Sequence, residues 1–273
     1  MENLLVVKLG GGEGLDMPRA CRDIAEIART RPVIVIHGVS AQMNQMCQDL
    51  DVPVRTLNSP GGHSSRYTDA RTRDIFVSAT HTVNDDICEW LYSYNVNAIG
   101  VSDDVVIQGK RKKAIRAVID GRVRIVRDDY TGSITGVDGN RLRTLLEQGY
   151  IPVLPPTALS EDGLLNIDGD RASAAVASEL NAETLIILSN VEGLYRNFET
   201  DDAPVAHVPM NQLEQAMDWA QGRMKRKVLG AQEALEGGVQ RVIIGDGRIN
   251  NPVSQALAGS GTQFFSEHYS VEA

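Results

Sequence analysis

The chain lacks the features that mark several large classes of protein. Its formal net charge is -9 over 273 residues, so it lacks the basic surface that general nucleic-acid binding requires. No apolar run approaches the length of a membrane span. The sequence opens directly on a strand pattern, without the signature of a signal or transit peptide. We therefore expect a cytoplasmic protein that binds neither nucleic acid nor a membrane.

Cysteine is scarce, and its placement indicates neither a disulfide framework nor a metal site. The three cysteines, Cys21, Cys47 and Cys88, are scattered and have no metal-ligand spacing, so we predict free thiols and no protein-held metal. Low-complexity linkers and internal repeats are also missing. The hydrophobic content of 42% is enough for one large core or two tightly joined lobes.

Short apolar runs alternate with segments of helical spacing along the whole chain. Residues 4–7 and 33–36 are typical of buried strands, and residues 18–30 between them are typical of a helix. Further strands are predicted at 97–101, 151–154, 185–188 and 241–244, and further helices at 68–95, 141–148, 172–180 and 222–235. Repeated strand–helix–strand units build parallel sheets. We predict one three-layer α/β/α domain over residues 1–273.

One stretch departs from this alternation. Residues 105–126 hold short β-rich runs, and the dipeptide Asp120-Gly121 between two of them is a hairpin signal. We predict antiparallel strands that project from the main sheet.

Glycine-rich loops follow the first two predicted strands. Lys8 ends the first strand and precedes Gly10 and Gly11, while Gly38 and Val39 follow the second strand. Ligands bind outside the carboxyl ends of parallel strands, and glycines let backbone N–H groups approach a phosphate. The spacing fits neither a Walker A loop nor a dinucleotide fingerprint. The alternative is a flexible turn beside a solvated lysine.

Other polar segments allow both a functional and a structural interpretation. Arg66 could bind a substrate carboxylate or lie at the surface. The acids within 166–170 could position catalytic groups or cap a helix. Residues 188–194 follow a buried strand and could line a nucleotide pocket. Residues 222–227 place four cations at a helix start, which opposes the helix dipole unless a phosphate binds there.

Taken together and in this order, these segments resemble the amino acid kinase family over about residues 4–265. The most specific are Lys8-Leu9-Gly10-Gly11, Asn166-Ile167-Asp168-Gly169-Asp170, Ser189-Asn190-Val191-Glu192-Gly193 and Gly222-Arg223-Met224-Lys225-Arg226-Lys227. Pro60-Gly61-Gly62, Ser65-Arg66-Tyr67-Thr68-Asp69 and Tyr130-Thr131-Gly132 are similar to one part of the acetylglutamate kinase branch. In that part, the acyl substrate is attached to a LysW-type amino-group carrier protein.

The resemblance implies a fold and a set of roles. It implies a mostly parallel sheet of about eight strands, an acyl-substrate lobe over about residues 1–165, a nucleotide lobe over about 166–273, and a homodimer. Lys8 and Lys227 would stabilise the transferring phosphoryl group, and Asp170 would orient both. The acyl substrate would bind Gly38, Val39, Arg66 and Asn166. The phosphate-binding loops would contain Gly10, Gly11, Gly38 and Val39. The nucleotide would bind Ser189, Asn190, Gly193, Leu194, Met224 and Lys225.

The implied reaction is phosphorylation of a carboxylate by ATP, with Mg²⁺ held mainly by nucleotide phosphates and water. A carboxylate is already ionised at neutral pH, so no general base is needed, and the sequence contains no Ser-His-Asp or Cys-His constellation. The expected acceptor is carrier-linked α-aminoadipate, and carrier-linked glutamate is a second candidate. Two alternatives stay open: a kinase of free N-acetylglutamate, and a non-catalytic nucleotide- or amino-acid-binding regulator. Val39, where the family usually has glycine, favours the regulator weakly, and Asn190 replaces a frequent aspartate.

A cluster of positive charge stands out in this acidic chain. Residues 110–127 contain eight cations against one acid, Asp120. We predict that they dock an acidic LysW-type carrier protein by electrostatic attraction. The alternative is a solvated hairpin whose charges prevent edge pairing. The cations are Lys110, Arg111, Lys112, Lys113, Arg116, Arg122, Arg124 and Arg127.

Overall fold

Strands and helices alternate much as the hydrophobic pattern predicts. The computed structural model describes residues 3–62 and 64–266. Over those residues the strands are β1 (Leu5–Leu9), β2 (Val33–His37), β3 (Thr56–Asn58), β4 (Ser64–Arg66), β5 (Ala98–Gly100), β6 (Ile107–Arg111), β7 (Ile115–Ile119), β8 (Arg122–Val126), β9 (Gly132–Val137), β10 (Ile151–Leu154), β11 (Thr157–Ser160), β12 (Gly163–Asn166), β13 (Thr184–Ser189), β14 (His207–Pro209), β15 (Arg241–Asp246) and β16 (Thr262–Phe265). The α-helices over the same residues are α1 (Met17–Ala28), α2 (Ser40–Asp49), α3 (Ala70–Ser93), α4 (Gly139–Glu147), α5 (Gly169–Glu179), α6 (Leu213–Trp219), α7 (Met224–Glu236) and α8 (Pro252–Leu257).

The central sheet of the described chain has eight strands in the order β14-β16-β15-β13-β1-β2-β10-β5. All neighbours are parallel except β15 and β16. Successive residues of β1 face opposite apolar layers: Val6 packs with Ile34 on one side, and Val7 packs with Val35 on the other. A sheet covered on both faces needs continuous apolar strands, which is why these runs do not alternate. The predicted α/β/α sandwich is confirmed.

The helices cover both faces of this sheet and end where the apolar periodicity ends. Asp69 caps α3 by accepting a hydrogen bond from the Thr72 N–H group at 2.8 Å, and Asp138 caps α4 in the same manner. Within the described residues, no helix combines the length and the apolar character needed to cross a bilayer.

The prediction for residues 105–126 needs one correction. The first run forms β6, which belongs to a separate four-stranded sheet of order β12-β11-β6-β9 rather than to an extension of the central sheet. Ile107 at its start is buried in the main core, which fixes β6 against the domain. The hairpin consists of β7 and β8 alone, and its turn residues Asp120 and Gly121 both have positive φ, at 52° and 71°.

The register of the central sheet determines where a site can form. Leu9 of β1 lies beside His37 of β2 and Leu188 of β13. Three parallel strands therefore reach the same edge together, and the loops after them are neighbours although they are far apart in sequence. This edge holds Lys8 and the glycine loops with Gly10, Gly11, Gly38 and Val39.

Candidate active site

One cavity of about 1070 Å³ opens at the carboxyl edge of the central sheet. Its wall includes the loops after β1, β2 and β13, the strand β4, and the starts of α5 and α7. The cavity brings together residues from both halves of the chain. It is large enough for two substrates side by side, since ligand sites span about 300–1,000 Å³.

Three charged side chains from three elements meet within the cavity. The Nζ atom of Lys8, in β1, lies 2.8 Å from Asp170 Oδ1, and the Nζ atom of Lys227 lies 3.2 Å from Asp170 Oδ2. Asp170 lies in the first turn of α5 and Lys227 in that of α7. The side chains of Lys8, Asp170 and Lys227 are only 8%, 9% and 11% exposed. The fold thus joins the three residues that the family resemblance selected.

The charges of this cluster are strongly coupled. Burial raises the pKa of Asp170, but the charges of Lys8 and Lys227 outweigh burial and hold that pKa well below its usual value. Burial lowers the pKa of Lys227, and the charge of Asp170 opposes this effect. Two lysines against one carboxylate leave an excess of positive charge in a site of low dielectric. Such a site attracts an anionic phosphoryl group.

The two glycine loops touch each other through their backbones. The Gly38 N–H group donates to the Leu9 carbonyl at 2.9 Å, and the Ala41 N–H group donates to the Gly11 carbonyl at 2.7 Å. A Cβ atom on Gly11 would lie 2.2 Å from the carbonyl carbon of Gly38, so only glycine fits there. The cavity wall at this point consists of Gly10, Gly11, Gly38 and Val39.

Val39 occupies an ordinary backbone conformation. Its φ is -134°, outside the left-handed region that favours glycine. It precedes the first turn of α2, where backbone N–H groups have no partner within the helix. The valine therefore introduces no backbone strain. The backbone at Val39 gives no reason to expect impaired activity.

His37 is a packing residue. It is fully buried, and its Nε2 atom lies 3.1 Å from the Asn84 side-chain nitrogen. Burial lowers the pKa of His37 to about 4, so the ring is neutral at physiological pH. The ring does not line the cavity.

Arg66 and Asn166 line the cavity near the end of β4. One Nη atom of Arg66 donates to the Asn44 side chain, and the other is buried without a hydrogen-bond partner among the described residues. Burial lowers the pKa of Arg66, as expected for a cation that lacks a compensating anion. Asn166 donates from Nδ2 to Thr68 Oγ1 at 3.1 Å. Arg66 thus lines the cavity with one Nη atom whose hydrogen-bonding capacity no described residue uses.

Of the six residues predicted to bind the nucleotide, five line the cavity and one does not. Lys225 is exposed and does not line the cavity, because it faces away from Lys227 in the first turn of α7. The Leu194 N–H group is already used by Thr262 Oγ1, at 2.8 Å. The predicted residues that do line the cavity are Ser189, Asn190, Gly193, Leu194 and Met224.

The cavity wall also contains aromatic residues that the sequence patterns did not indicate, among them Tyr195, Phe198 and Trp219. The rings of Tyr195 and Phe198 pack edge to face with centroids 5.3 Å apart, and Phe198 remains 68% exposed. An exposed ring at a cavity can stack on a planar base. The available signal was two aromatic residues in the loop directly after the predicted nucleotide strand.

The cations predicted to dock a carrier lie in three places. Lys110 and Arg111 are in β6 and not on the hairpin, contrary to prediction. Arg111 is largely buried, donates to the Asp129 carbonyl at 2.8 Å and stacks on the Tyr130 ring, so it serves the fold. Lys112 lines the cavity. The exposed cations outside the cavity wall are Lys110, Lys113, Arg116, Arg122, Arg124 and Arg127.

The acids of the cavity already have partners. Asp168 caps α5 and pairs with Arg226 at 3.2 Å, and Asp170 pairs with two lysines. Among residues 3–62 and 64–266, no group of three or more His, Cys, Asp or Glu side chains could hold a metal. This donor set suits a divalent cation that arrives with nucleotide phosphates and water as its ligands.

The sequence profile of the amino acid kinase family matches residues 3–246. Together with the fold and the cavity, this match establishes that the chain belongs to the amino acid kinase family. LysW-aminoadipate kinase of Deinococcus radiodurans is 42% identical over 265 residues, which cover 95% of this chain and 91% of that protein. LysW-aminoadipate kinase of Thermus thermophilus is 41% identical over 266 residues, which cover 95% and 99%.

Solved structures share the fold at lower identity. N-acetylglutamate synthase of Neisseria gonorrhoeae has a TM-score of 0.79 and 24% identity, over 98% of this chain and 60% of the synthase. Carbamate kinase of Giardia lamblia, bound to AMP-PNP, has a TM-score of 0.69 and 16% identity, over 97% and 99% of the two chains. At these identities the likeness establishes the fold alone.

The lysine cluster gives a direct prediction. Lys8→Met or Lys227→Met should lower kcat by more than about 100-fold, because each removes a charge that stabilises the transition state. Methionine keeps the aliphatic volume of the buried side chain. Lys225→Met is the matched control and should stay close to wild type, since Lys225 does not line the cavity. Steady-state kinetics checks all three, and near-normal turnover in Lys8→Met would remove Lys8 from this role.

Proposed function

We propose that the chain transfers the γ-phosphoryl group of Mg-ATP to the side-chain carboxylate of α-aminoadipate linked to a LysW-type amino-group carrier protein. Carrier-linked glutamate is a second acceptor. The observation that carries the proposal is the buried cluster of Lys8, Asp170 and Lys227, in one cavity with Arg66, one Nη atom of which has no hydrogen-bond partner among the described residues. The names of two relatives above 40% identity support the acceptor.

The reaction needs no proton transfer. A carboxylate oxygen forms a bond to the γ-phosphorus, and the bond from that phosphorus to the bridging oxygen breaks, which leaves an acyl phosphate and ADP. Lys8 and Lys227 neutralise charge on the transferring group, while Asp170 keeps both lysines in place. The buried and neutral His37 is therefore not required as a base.

The acyl acceptor lies on the side of Arg66 and Asn166. The Arg66 fork binds the α-carboxylate of the acceptor, and its contact with Asn44 fixes the orientation of the fork. Asn166 contributes its side-chain amide to the neighbouring amide region of the acceptor. The nucleotide lies on the side of α7, where Arg223, Arg226 and Lys227 at the helix start line the cavity and provide positive charge for its phosphates. Phe198 stacks on the base.

The acceptor is tested by trapping the product. Purified protein, Mg-ATP and hydroxylamine should give a hydroxamate with carrier-linked aminoadipate, because hydroxylamine captures an acyl phosphate. Free N-acetylglutamate is the competing acceptor. Compared with carrier-linked aminoadipate, it has one methylene fewer and no carrier. Hydroxamate from N-acetylglutamate with none from either carrier-linked acid would overturn the acceptor assignment. Nucleotide binding without any turnover would favour a regulator.

The hairpin provides a surface for the carrier. Its strands place Arg116 opposite Ile125 and Val118 opposite Val123. Val118, Val123 and Ile125 are 39%, 50% and 58% exposed. On the other face, Ile115 lines the cavity. An acidic carrier bound to this hairpin would lie beside the cavity mouth, with attraction to Arg116 and its neighbours guiding encounter.

Charge reversal on the hairpin should weaken carrier binding. Lys113→Glu/Arg116→Glu is expected to reduce affinity for the carrier by about tenfold or more, because like charges then meet. Lys112 is left intact, since it lines the cavity and would confound docking with substrate binding. Calorimetric titration at low and moderate salt measures the effect.

A matched control separates docking from a general change in net charge. Arg22→Glu/Arg29→Glu alters the net charge equally at two exposed positions on and after α1. It should leave carrier affinity near wild type. Wild-type affinity should fall as salt rises, because exposed charges are screened over about 8 Å at physiological ionic strength. If wild type and both double variants bind the carrier with equal affinity, and if salt does not change that affinity, the hairpin is not the docking surface.

Two further parts of the proposal concern setting and assembly. The cysteines Cys21, Cys47 and Cys88 are free thiols, which suits the reducing cytoplasm. The division into an acyl-substrate lobe over about residues 1–165 and a nucleotide lobe over about 166–273 stays a prediction. The homodimer that the family resemblance implies stays a prediction.

A further inference from the structure

Asp129 is a fully buried carboxylate that lies outside the cavity wall. Its Oδ2 atom accepts a hydrogen bond from the Thr68 N–H group at 2.9 Å, and its Oδ1 atom accepts one from the Thr131 N–H group at 2.7 Å. Thr131 is only two residues from Asp129, whereas Thr68 is 61 residues away. The buried carboxylate therefore fixes its own loop against the segment of Thr68.

Both segments lead to the residues that bind the acyl acceptor. Thr68 follows Arg66 by two residues, and its Oγ1 atom accepts the Asn166 side-chain hydrogen bond at 3.1 Å. The Thr68 carbonyl accepts from the Tyr130 N–H group at 2.7 Å, and the Tyr130 carbonyl accepts from the Asn166 N–H group at 3.0 Å. Arg66, Asn166 and the Asp129 carboxylate are thus connected by an unbroken set of hydrogen bonds and backbone.

The same residue lies at the base of the hairpin. The chain leaves β8 at Val126 and reaches Asp129 three residues later. Arg111 fixes this return, since it donates to the carbonyl groups of Asp129 and Arg127 at 2.8 and 3.0 Å. The Tyr130 ring lies 4.0 Å from the Arg111 guanidinium and 4.4 Å from that of Arg73. The base of the hairpin is therefore held against the segment of Thr68, which leads to Arg66.

We infer that Asp129 is a positioning residue for the acyl acceptor: it holds Arg66 and Asn166 in one geometry and links both to the hairpin. This inference rests on the proposed function, because it assigns the acceptor to Arg66 and Asn166. A purely structural role would lower stability and leave the acceptor's KM unchanged. A positioning role raises the acceptor's KM and leaves that of ATP unchanged.

The test is Asp129→Asn, which keeps the size of the side chain and removes its charge. An asparagine amide can accept from one of the two N–H groups but must face the other with its own donor, so one contact is lost. We expect the acceptor's KM to rise about tenfold or more, the range for a lost hydrogen bond to a charged group. The KM for ATP should stay within about twofold, a change of less than half a kcal/mol.

Asp51→Asn is the matched control. It makes the same substitution away from the hairpin and the cavity wall, at an exposed turn residue with a φ of 52° that asparagine readily adopts. Its acceptor KM should equal that of wild type. An unchanged acceptor KM in folded Asp129→Asn, or an equal rise for acceptor and ATP, would overturn the inference.

A second variant covers the case in which Asp129→Asn does not fold. Thr68→Val keeps the N–H group that donates to Asp129 and removes the hydroxyl that accepts from the Asn166 side chain. It therefore breaks the connection through which Asp129 positions Asn166. It should raise the acceptor's KM selectively, and an unchanged KM would overturn the inference. Wild-type turnover is measured first with each acceptor, and the variants are compared on the acceptor that wild type uses. Failure of wild type on carrier-linked acids contradicts the proposed function, whereas unchanged variants contradict only the role of Asp129.

Discussion

The buried contact of Asp170 with Lys8 and Lys227 is the interaction on which the rest of the site depends. Removing charges from water costs several kcal/mol per ion, and losing one partner of a buried pair typically costs about 3–5 kcal/mol. The cluster therefore persists only because β1, α5 and α7 hold it from three directions. Under the proposed function, a bound phosphoryl group would relieve its excess positive charge, so binding and catalysis would depend on the same electrostatic imbalance.

The parallel sheet makes this arrangement predictable from sequence. Buried apolar runs identified the strands, and parallel strands bring their carboxyl ends to one edge. Lys8, Gly11 and Gly38 could be placed together on that ground, because each follows a strand directly. Asp170 and Lys227 needed the family motifs, since an acid or a cation at a helix start also fits a cap or a solvated turn. Charge and glycine patterns thus selected residues that the fold brings into one cavity.

What the sequence did not reveal depends on contacts between distant residues. The run of positive charge predicted that Arg111 docks a carrier. Its contacts with the Tyr130 ring and the Asp129 carbonyl form only when β6 pairs with β9. Asp129 itself gives no local signal, because Thr68 lies 61 residues away. The exposed ring of Phe198 is ambiguous until the cavity is known. Local sequence patterns identify helices, strands and loops. Contacts between distant segments determine which charged side chains stabilise the fold.

The central claim is that Asp170 enables phosphoryl transfer by holding two lysines, and single-turnover kinetics of Asp170→Asn tests it most directly. ATP affinity is measured first by calorimetry, followed by the rate of acyl-phosphate formation on carrier-linked aminoadipate. The account predicts that the variant still binds ATP within a few-fold of wild type, while the rate of transfer falls by more than about 100-fold. A folded Asp170→Asn protein with a near-normal transfer rate would contradict it.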